Sequence, residues 1–153
     1  MKPAKGYQRL RKGRCSILSH CYMLTSVVVD RKPLLFDSGA AAIVLNCLEW
    51  LEHEGRIALK AAVVMPEHLH FIARLGNGAL GQLMHSLKSY TANKLNRHLS
   101  RKGRFWQPQY YDHAIRNEED LWKSVHYCLN NPVRRGLVED FHDYPYWYCR
   151  WKV

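Results

Sequence analysis

The chain has 153 residues, a length that suits one globular domain, and its 47% hydrophobic and 24% charged residues are an ordinary globular mixture. No apolar run approaches the roughly 18 residues that a membrane span needs, and the basic segment 1–14 is not followed by the apolar stretch of a signal peptide. We therefore expect a single domain over 1–153, located in the cytoplasm and without a membrane partner.

The formal net charge of +10 is the strongest compositional signal. Excess positive charge on a small domain indicates a polyanionic partner, most often nucleic acid, although a merely basic surface is the alternative. The basic residues are also clustered, with one group in the N-terminal arm over 1–14. The candidate DNA-binding residues are Arg9, Arg11, Lys12, Arg14, Lys88, Arg97, Arg101, Arg104, Arg134 and Arg135, together with Trp106, which could stack on an unpaired base.

The five cysteines are odd in number and form no CxxC pair. This pattern argues against a disulfide framework and against a zinc ribbon. We interpret them as reduced thiols that mostly fill the core.

Hydrophobic periodicity divides the chain into alternating strands and helices. The predicted elements are a strand over 22–29, a helix over 39–53, strands over 57–64 and 68–75, a helix over 79–99, a strand over 110–115 and a helix over 118–131. A basic loop covers 100–108, and an aromatic tail covers 139–153. The order β-α-β-β-α-β is typical of a ferredoxin-like split β-α-β sandwich of the α+β class, with helices on one face of an antiparallel sheet. One further helix, carrying Tyr127, is added after it.

Two histidines stand one residue apart in the third predicted strand. Side chains at i and i+2 of a strand share a face, so His68 and His70 can aim two imidazoles at one point while Leu69 and Phe71 enter the core. Two imidazoles on a rigid surface are suitable ligands for a metal ion. The alternative is that one histidine bonds to the backbone and the other faces solvent.

The last predicted helix carries a second group of polar residues. Tyr127 and Asn131 are an i, i+4 pair, so they lie one above the other on the helix surface. If this stripe faces the histidines, Asn131 offers a carbonyl oxygen to the same metal and Tyr127 lies one turn away. Otherwise Tyr127 is an amphipathic packing residue, and Asn131 is a turn residue before Pro132.

Together these motifs resemble a known family, the single-tyrosine HUH transposases, where HUH denotes His-hydrophobic-His. The resemblance is strongest to the REP-associated tyrosine transposases, which are linked to repetitive extragenic palindromes. It covers about residues 15–150. The motifs that carry it are MPEHLHF (65–71), SLKSYT (86–91), FWQPQYYDHAIRNEEDL (105–121), YCLNNPVRRGLV (127–138) and DYPYW (143–147).

The resemblance implies roles for four residues. It makes His68 and His70 metal ligands, Tyr127 the nucleophile and Asn131 the third protein ligand. The wider insertion-sequence transposases often have glutamine at the position of Asn131, which would reach further toward the metal. Mixed nitrogen and oxygen ligation suits Mg²⁺ or Mn²⁺.

The resemblance also implies a substrate. The expected partner is single-stranded or hairpin DNA of the REP type, and the arm over 1–14 is expected to read the foot of the hairpin. The protein could be a monomer or a homodimer. The expected reaction is metal-dependent strand cleavage and transfer through a covalent 5′-phosphotyrosine.

Two other functions fit parts of the same sequence. One is a domesticated, non-catalytic DNA-binding protein on the same fold. The other is a metal-dependent hydrolase that uses water, with Tyr127 as a bystander. A covalent adduct between protein and DNA would separate the transposase from both.

Overall fold

The computed structural model describes residues 20–153, so the candidate DNA contacts Arg9, Arg11, Lys12 and Arg14 lie outside the described residues. Its centre is a five-stranded antiparallel sheet in the order β4-β1-β3-β2-β5. The strands are β1 (Cys21–Val27), β2 (Ile57–Met65), β3 (His68–Leu75), β4 (Tyr111–Ala114) and β5 (Trp147–Cys149). The arrangement of β1 to β4 within the sheet, β4-β1-β3-β2, confirms the predicted ferredoxin-like fold.

Within residues 20–153, four α-helices accompany the sheet. They are α1 (Ser38–His53), α2 (Leu80–His98), α3 (Glu118–Leu129) and the single turn α4 (Asn131–Arg134). Asp37 caps α1, because its carboxylate accepts a hydrogen bond from Ala40 N at 2.9 Å, and Asn117 caps α3 in the same way through Asp120 N at 2.8 Å. Among residues 20–153, no helix is both long and apolar enough to cross a bilayer.

The two faces of the sheet bury different cores. Leu69 and Phe71 of β3 point into the larger core beneath α1 and α2. Ile72 lies on the same face of β3 as the two histidines and points into a smaller core beneath α3. The alternation of β3 therefore places His68 and His70 on the α3 side, as the sequence predicts.

The cysteines behave as core filler in the part of the chain that is described. Cys21, Cys47 and Cys128 are buried, Cys149 is partly buried, and all four are free thiols. Burial raises the pKa of the Cys21 and Cys47 thiols to about 11, so these groups remain protonated.

Two element predictions need correction. The helix predicted over 118–131 ends at Leu129, and Asn131 begins the separate turn α4. Pro132 lies in the first turn of α4, where its missing N–H needs no helical partner, so it starts a helix rather than only ending one. The tail over 139–153 also contains β5, which pairs with Ala61–Val63 of β2 and was not predicted.

Candidate active site

The tight β2–β3 hairpin positions the two histidines. β2 ends at Met65 and β3 begins at His68, which leaves Pro66 and Glu67 as the turn. The carbonyls of both turn residues accept hydrogen bonds, from Leu35 N at 2.9 Å and from Val28 N at 2.8 Å. The turn is therefore fixed to the segment that follows β1.

Four polar residues are buried together beside this hairpin. Glu67, His68, His70 and Asn131 are each between 6% and 8% exposed. His68 Nδ1 lies 2.9 Å from Glu67 Oε1, and His68 Nε2 lies 3.0 Å from Asn131 Nδ2. A carboxylate on Nδ1 holds the proton there, so Nε2 keeps its lone pair and points toward Asn131.

His70 has one bonded ring nitrogen and one free one. Its Nδ1 lies 2.6 Å from Thr25 Oγ1 on the adjacent strand. Its Nε2 is buried without a partner, one of only two such side-chain nitrogen or oxygen atoms among residues 20–153. When Nδ1–H donates to Thr25, Nε2 presents an unused lone pair, which is the arrangement of a metal ligand.

The pKa values of both histidines are lowered, which favours their neutral forms. Burial, with the nearby charges of His68 and Arg134, lowers the pKa of His70 to about 4. Burial also lowers the pKa of His68, although Glu67 acts in the opposite direction. Neutral imidazole is the form that binds a metal ion, so the pair needs no deprotonation at pH 7.

Tyr127 lies on α3 beside this pair. Its side chain is 55% exposed, and its ring centroid is 6.0 Å from that of His70. The guanidinium carbon of Arg134 lies 3.7 Å from the centre of the Tyr127 ring, a cation–π contact. An open groove of about 350 Å³ is lined by Thr25, Val27, Arg31, His68, His70, Tyr111, Tyr127, Asn131, Arg134 and Arg135.

The chemistry of these donors fits the expected metal. Within residues 20–153, no three His, Cys, Asp or Glu side chains converge as a ligand set, but an amide lies beside the histidine pair. Asn131 is that amide, and a half-turn of its side-chain plane would present Oδ1 in place of Nδ2. Two imidazoles and one amide oxygen with open positions suit Mn²⁺ or Mg²⁺.

Sequence reasoning missed the residues that support the pair. Thr25 and Glu67 bond to the outer nitrogens of the histidines, and Arg31 lies on the groove wall. Arg135, which was predicted only as a DNA contact, also forms an ion pair with Glu67. Strict alternation would place Glu67 on the face opposite His68. Glu67 reaches His68 because it belongs to the turn and not to the strand. An acidic residue directly before the His-Leu-His run could nevertheless have indicated a carboxylate partner for His68.

The structure corrects the interpretation of Trp106. This residue is 3% exposed, and its indole N–H donates to Thr91 Oγ1 at 2.9 Å. Its backbone also forms an isolated bridge with Val28. Trp106 therefore belongs to the core and is not available to stack on an unpaired base.

The basic residues over 88–104 divide into two groups. Lys88 was predicted to contact DNA, but its ammonium donates to the carbonyls of Gln107, Pro108 and Gln109, and so holds that loop to α2. Arg101 similarly donates to Asn96 and to the Arg104 carbonyl. Arg97 and Arg104 are exposed, and Arg134 and Arg135 lie at the groove, so these four remain predicted DNA contacts.

Residues 16–130 match the family model described as "Transposase IS200 like". The chain belongs to the IS200-like transposase family. Every element from β1 to the end of α3 lies within that match, including the histidine pair and Tyr127.

Two kinds of comparison give individual relatives of this chain. A REP-associated tyrosine transposase of Escherichia coli is 34% identical over 90 residues, 58% of this chain and 52% of that protein. The chain spans about half the length of the curated relatives it matches. The structure of a REP-associated tyrosine transposase bound to a REP hairpin has a TM-score of 0.70 and 25% identity, over 84% of this chain and 75% of that one. The resemblance to this group is confirmed.

A structure from Deinococcus radiodurans is similar in fold alone. It has a TM-score of 0.54 and 21% identity, over 70% of this chain and 86% of that one. Together with the hairpin-bound structure, it supports the α+β architecture described above.

Proposed function

We propose that this protein is a metal-dependent single-stranded DNA endonuclease and strand transferase that acts at REP-like hairpins through a 5′-phosphotyrosine on Tyr127. The observation that carries this proposal is the position of Tyr127, whose ring lies 6.0 Å from His70 in the same groove as His68 and Asn131. Tyr127, on a helix, thus shares one open surface with His68 and His70 of the sheet.

The residues of the groove divide the reaction between them. The phenolic oxygen of Tyr127 attacks phosphorus in line, the P–O3′ bond breaks, and the phenolic proton passes through solvent to the leaving 3′ oxygen. His68, His70 and Asn131 would hold the divalent ion, which supplies Lewis-acid charge neutralisation at the phosphate. Arg134, stacked on Tyr127, and Arg135 place positive charge where the DNA backbone must enter.

A covalent phosphotyrosine intermediate allows the DNA strand to be rejoined, whereas direct hydrolysis by water does not. The bond from Tyr127 to phosphorus is still a phosphodiester, so a 3′-OH can attack it and restore a DNA strand without another energy source. In-line attack at phosphorus needs a flexible strand, and a single strand meets that need more readily than a duplex does. The hairpin-bound relative supports hairpin DNA as the substrate class.

Trapping of a covalent adduct tests the nucleophile. We expect the protein and a labelled hairpin oligonucleotide to give a Mn²⁺-dependent adduct on a denaturing gel. Tyr127→Phe, which removes one oxygen from a half-exposed ring, should abolish the adduct and retain binding. An adduct that persists in this variant would transfer the role to another tyrosine, with Tyr111 of the same groove the first to examine.

Metal titration tests the ligands. EDTA should abolish the adduct in the parent protein, and Asn131→Ala should require a higher Mn²⁺ concentration for the same adduct yield. Coincident Mn²⁺ curves for the variant and the parent would reduce Asn131 to a helix-terminal residue. Binding without any adduct would favour the non-catalytic DNA-binding protein instead.

A further inference from the structure

A second groove adjoins the candidate active site on the outer side of α3. It is an open surface of about 610 Å³ lined by Glu119, Trp122, Lys123, His126, Tyr127, Asn130 and Arg134. We call it the outer groove. Tyr127 and Arg134 line both grooves, so the stacked tyrosine–arginine pair is their common wall.

Trp122 gives the outer groove a fixed aromatic surface. Its ring packs on Trp151 with centroids 4.7 Å apart, and the Lys60 ammonium lies 5.9 Å from the Trp151 ring. The His126 ring, on the next turn of α3, lies 6.3 Å from Trp122 at an interplanar angle of 37°. Trp122 is partly buried and lines the outer groove, so part of its ring is available to a ligand.

The charges around this aromatic surface favour an anionic ligand. Lys123 and Glu119, the carboxylate of the groove, lie 3.2 Å apart and form an ion pair, so Arg134 gives the groove its net positive charge. Aromatic side chains beside cationic ones are how proteins hold single-stranded nucleic acid, with bases on the rings and phosphates on the cations. A strand whose phosphate lies at Tyr127 can continue into the outer groove, because Tyr127 and Arg134 line both grooves.

We propose that the outer groove is a binding subsite for one unpaired nucleobase adjacent to the scissile phosphate, which stacks on Trp122 and His126. The inference rests on the proposed function, because it is the cleavage at Tyr127 that defines the scissile phosphate. Stacking reads the flat face of a base rather than its hydrogen-bonding edge, so the subsite would accept any base and reject a missing one. It would therefore fix the position of the strand without specifying its sequence.

Abasic scanning tests the subsite. A series of hairpin oligonucleotides, each with one abasic position in the single-stranded flank, is titrated with the parent protein in EDTA by fluorescence anisotropy. We expect one position next to the cleavage point to bind about tenfold more weakly than the intact oligonucleotide. Trp122→Leu should remove most of that difference, and Trp122→Phe should restore part of it.

One control variant and one substitute variant complete the test. Trp50→Leu changes an exposed tryptophan that stacks on Tyr90 at 5.6 Å, on the helical layer across the sheet, and should leave the abasic penalty unchanged. His126→Ala, at an exposed position, replaces Trp122→Leu if the latter does not fold. Equal affinities for all abasic oligonucleotides, or a full penalty in Trp122→Leu, would overturn the subsite.

The adduct assay separates this inference from the proposed function. An adduct at Tyr127 with no position-specific penalty would sink the subsite and leave the proposed cleavage standing. A position-specific penalty that depends on Trp122, without any adduct, would support the subsite and sink the cleavage.

Discussion

Glu67 links two parts of the candidate active site at the residue scale. Its Oε1 lies 2.9 Å from His68 Nδ1 and also accepts from Arg135. The ion pair and the hydrogen bond both lower the pKa of Glu67, against the effect of its burial. The carboxylate is therefore ionised at neutral pH and orients His68 with Nε2 toward the groove.

Glu67→Gln should weaken metal binding without removing a ligand. Loss of a carboxylate behind a ligating histidine typically lowers metal affinity about 10- to 100-fold. Isothermal titration with Mn²⁺ measures the change, and Arg135→Met serves as the control because it removes the other partner of Glu67. Equal Mn²⁺ affinity in Glu67→Gln and the parent would show that this carboxylate does not support a ligand.

The pKa of His70 predicts an acid-sensitive fold in the metal-free protein. The pKa falls from 6.5 in the unfolded chain to about 4 in the folded one, so between these values only the unfolded state takes up the proton. The free energy of unfolding should be highest above pH 6.5, fall as the pH drops toward 4, and then level off. The full loss is on the order of 3 kcal/mol.

His70→Gln isolates this contribution, because glutamine does not titrate. Urea denaturation in EDTA at several pH values should give a shallower pH dependence for the variant than for the parent. Parallel curves for the two proteins would mean that His70 titrates normally in the folded state.

Individual residues were predictable where one strand or helix determines them. The shared face of His68 and His70 follows from strand alternation, and it is confirmed. The bond from Thr25 to His70 joins residues 45 positions apart, so no local pattern could indicate it. Trp106 misled because a basic loop suggests exposure, whereas its bridge to Val28 and its bond to Thr91 are tertiary.

The break between α3 and α4 is the main feature at the element scale. α3 ends at Leu129 and α4 begins at Asn131, with Asn130 between them. Tyr127 is therefore half-exposed on one helix, while Asn131 is buried on the next and reaches His68. The break lets Tyr127 stay open to solvent while the Asn131 amide lies against the sheet.

Asn117→Ala tests the start of α3. The Asn117 side chain accepts from Asp120 N, and loss of such a cap costs about 1 kcal/mol. For a protein of this size the melting temperature should fall by about 2–4 °C. Asn117→Ser keeps an accepting oxygen and should melt close to the parent. If Asn117→Ala also melts with the parent, the start of α3 is stabilised by other contacts.

Periodicity and capping residues were sufficient to predict the type of most elements, but not all of their boundaries and not β5. Helix α1 and strand β3 match their predicted ranges within one residue, because both have clear periods and clear ends. Strand β5 is only three residues long and lies in a segment dense with aromatic residues, so no alternation marks it. β5 forms by pairing with the otherwise free edge of β2, and that edge exists only in the folded sheet.

At the scale of the whole molecule, the charge of +10 predicts salt-dependent binding to DNA. Each phosphate neutralised on a single strand adds about −0.7 to the slope of log affinity against log salt. Neutralising Arg9, Arg11, Lys12 and Arg14 together should lower affinity, flatten this slope and reduce discrimination against a scrambled hairpin. Anisotropy titrations at several salt concentrations measure all three.

Neutralising Arg97 and Arg104 in a second variant provides the comparison. If the first variant keeps the slope and the discrimination of the parent, the principal DNA surface moves to Arg97, Arg104, Arg134 and Arg135. The folding of both variants is compared by circular dichroism before their affinities are compared.

The placement of Tyr127 on the layer opposite α1 and α2 has a consequence for biosynthesis. Cys128 Sγ meets the His70 carbonyl across 58 residues, and Asn131 meets His68 across 63. A nascent chain that has emerged only as far as β4 already holds both histidines and four strands, but it lacks α3. The groove should therefore be incomplete on a ribosome-bound intermediate, and Tyr127 and Asn131 should reach the two histidines only when residues 118–134, in the last quarter of the 153, have docked.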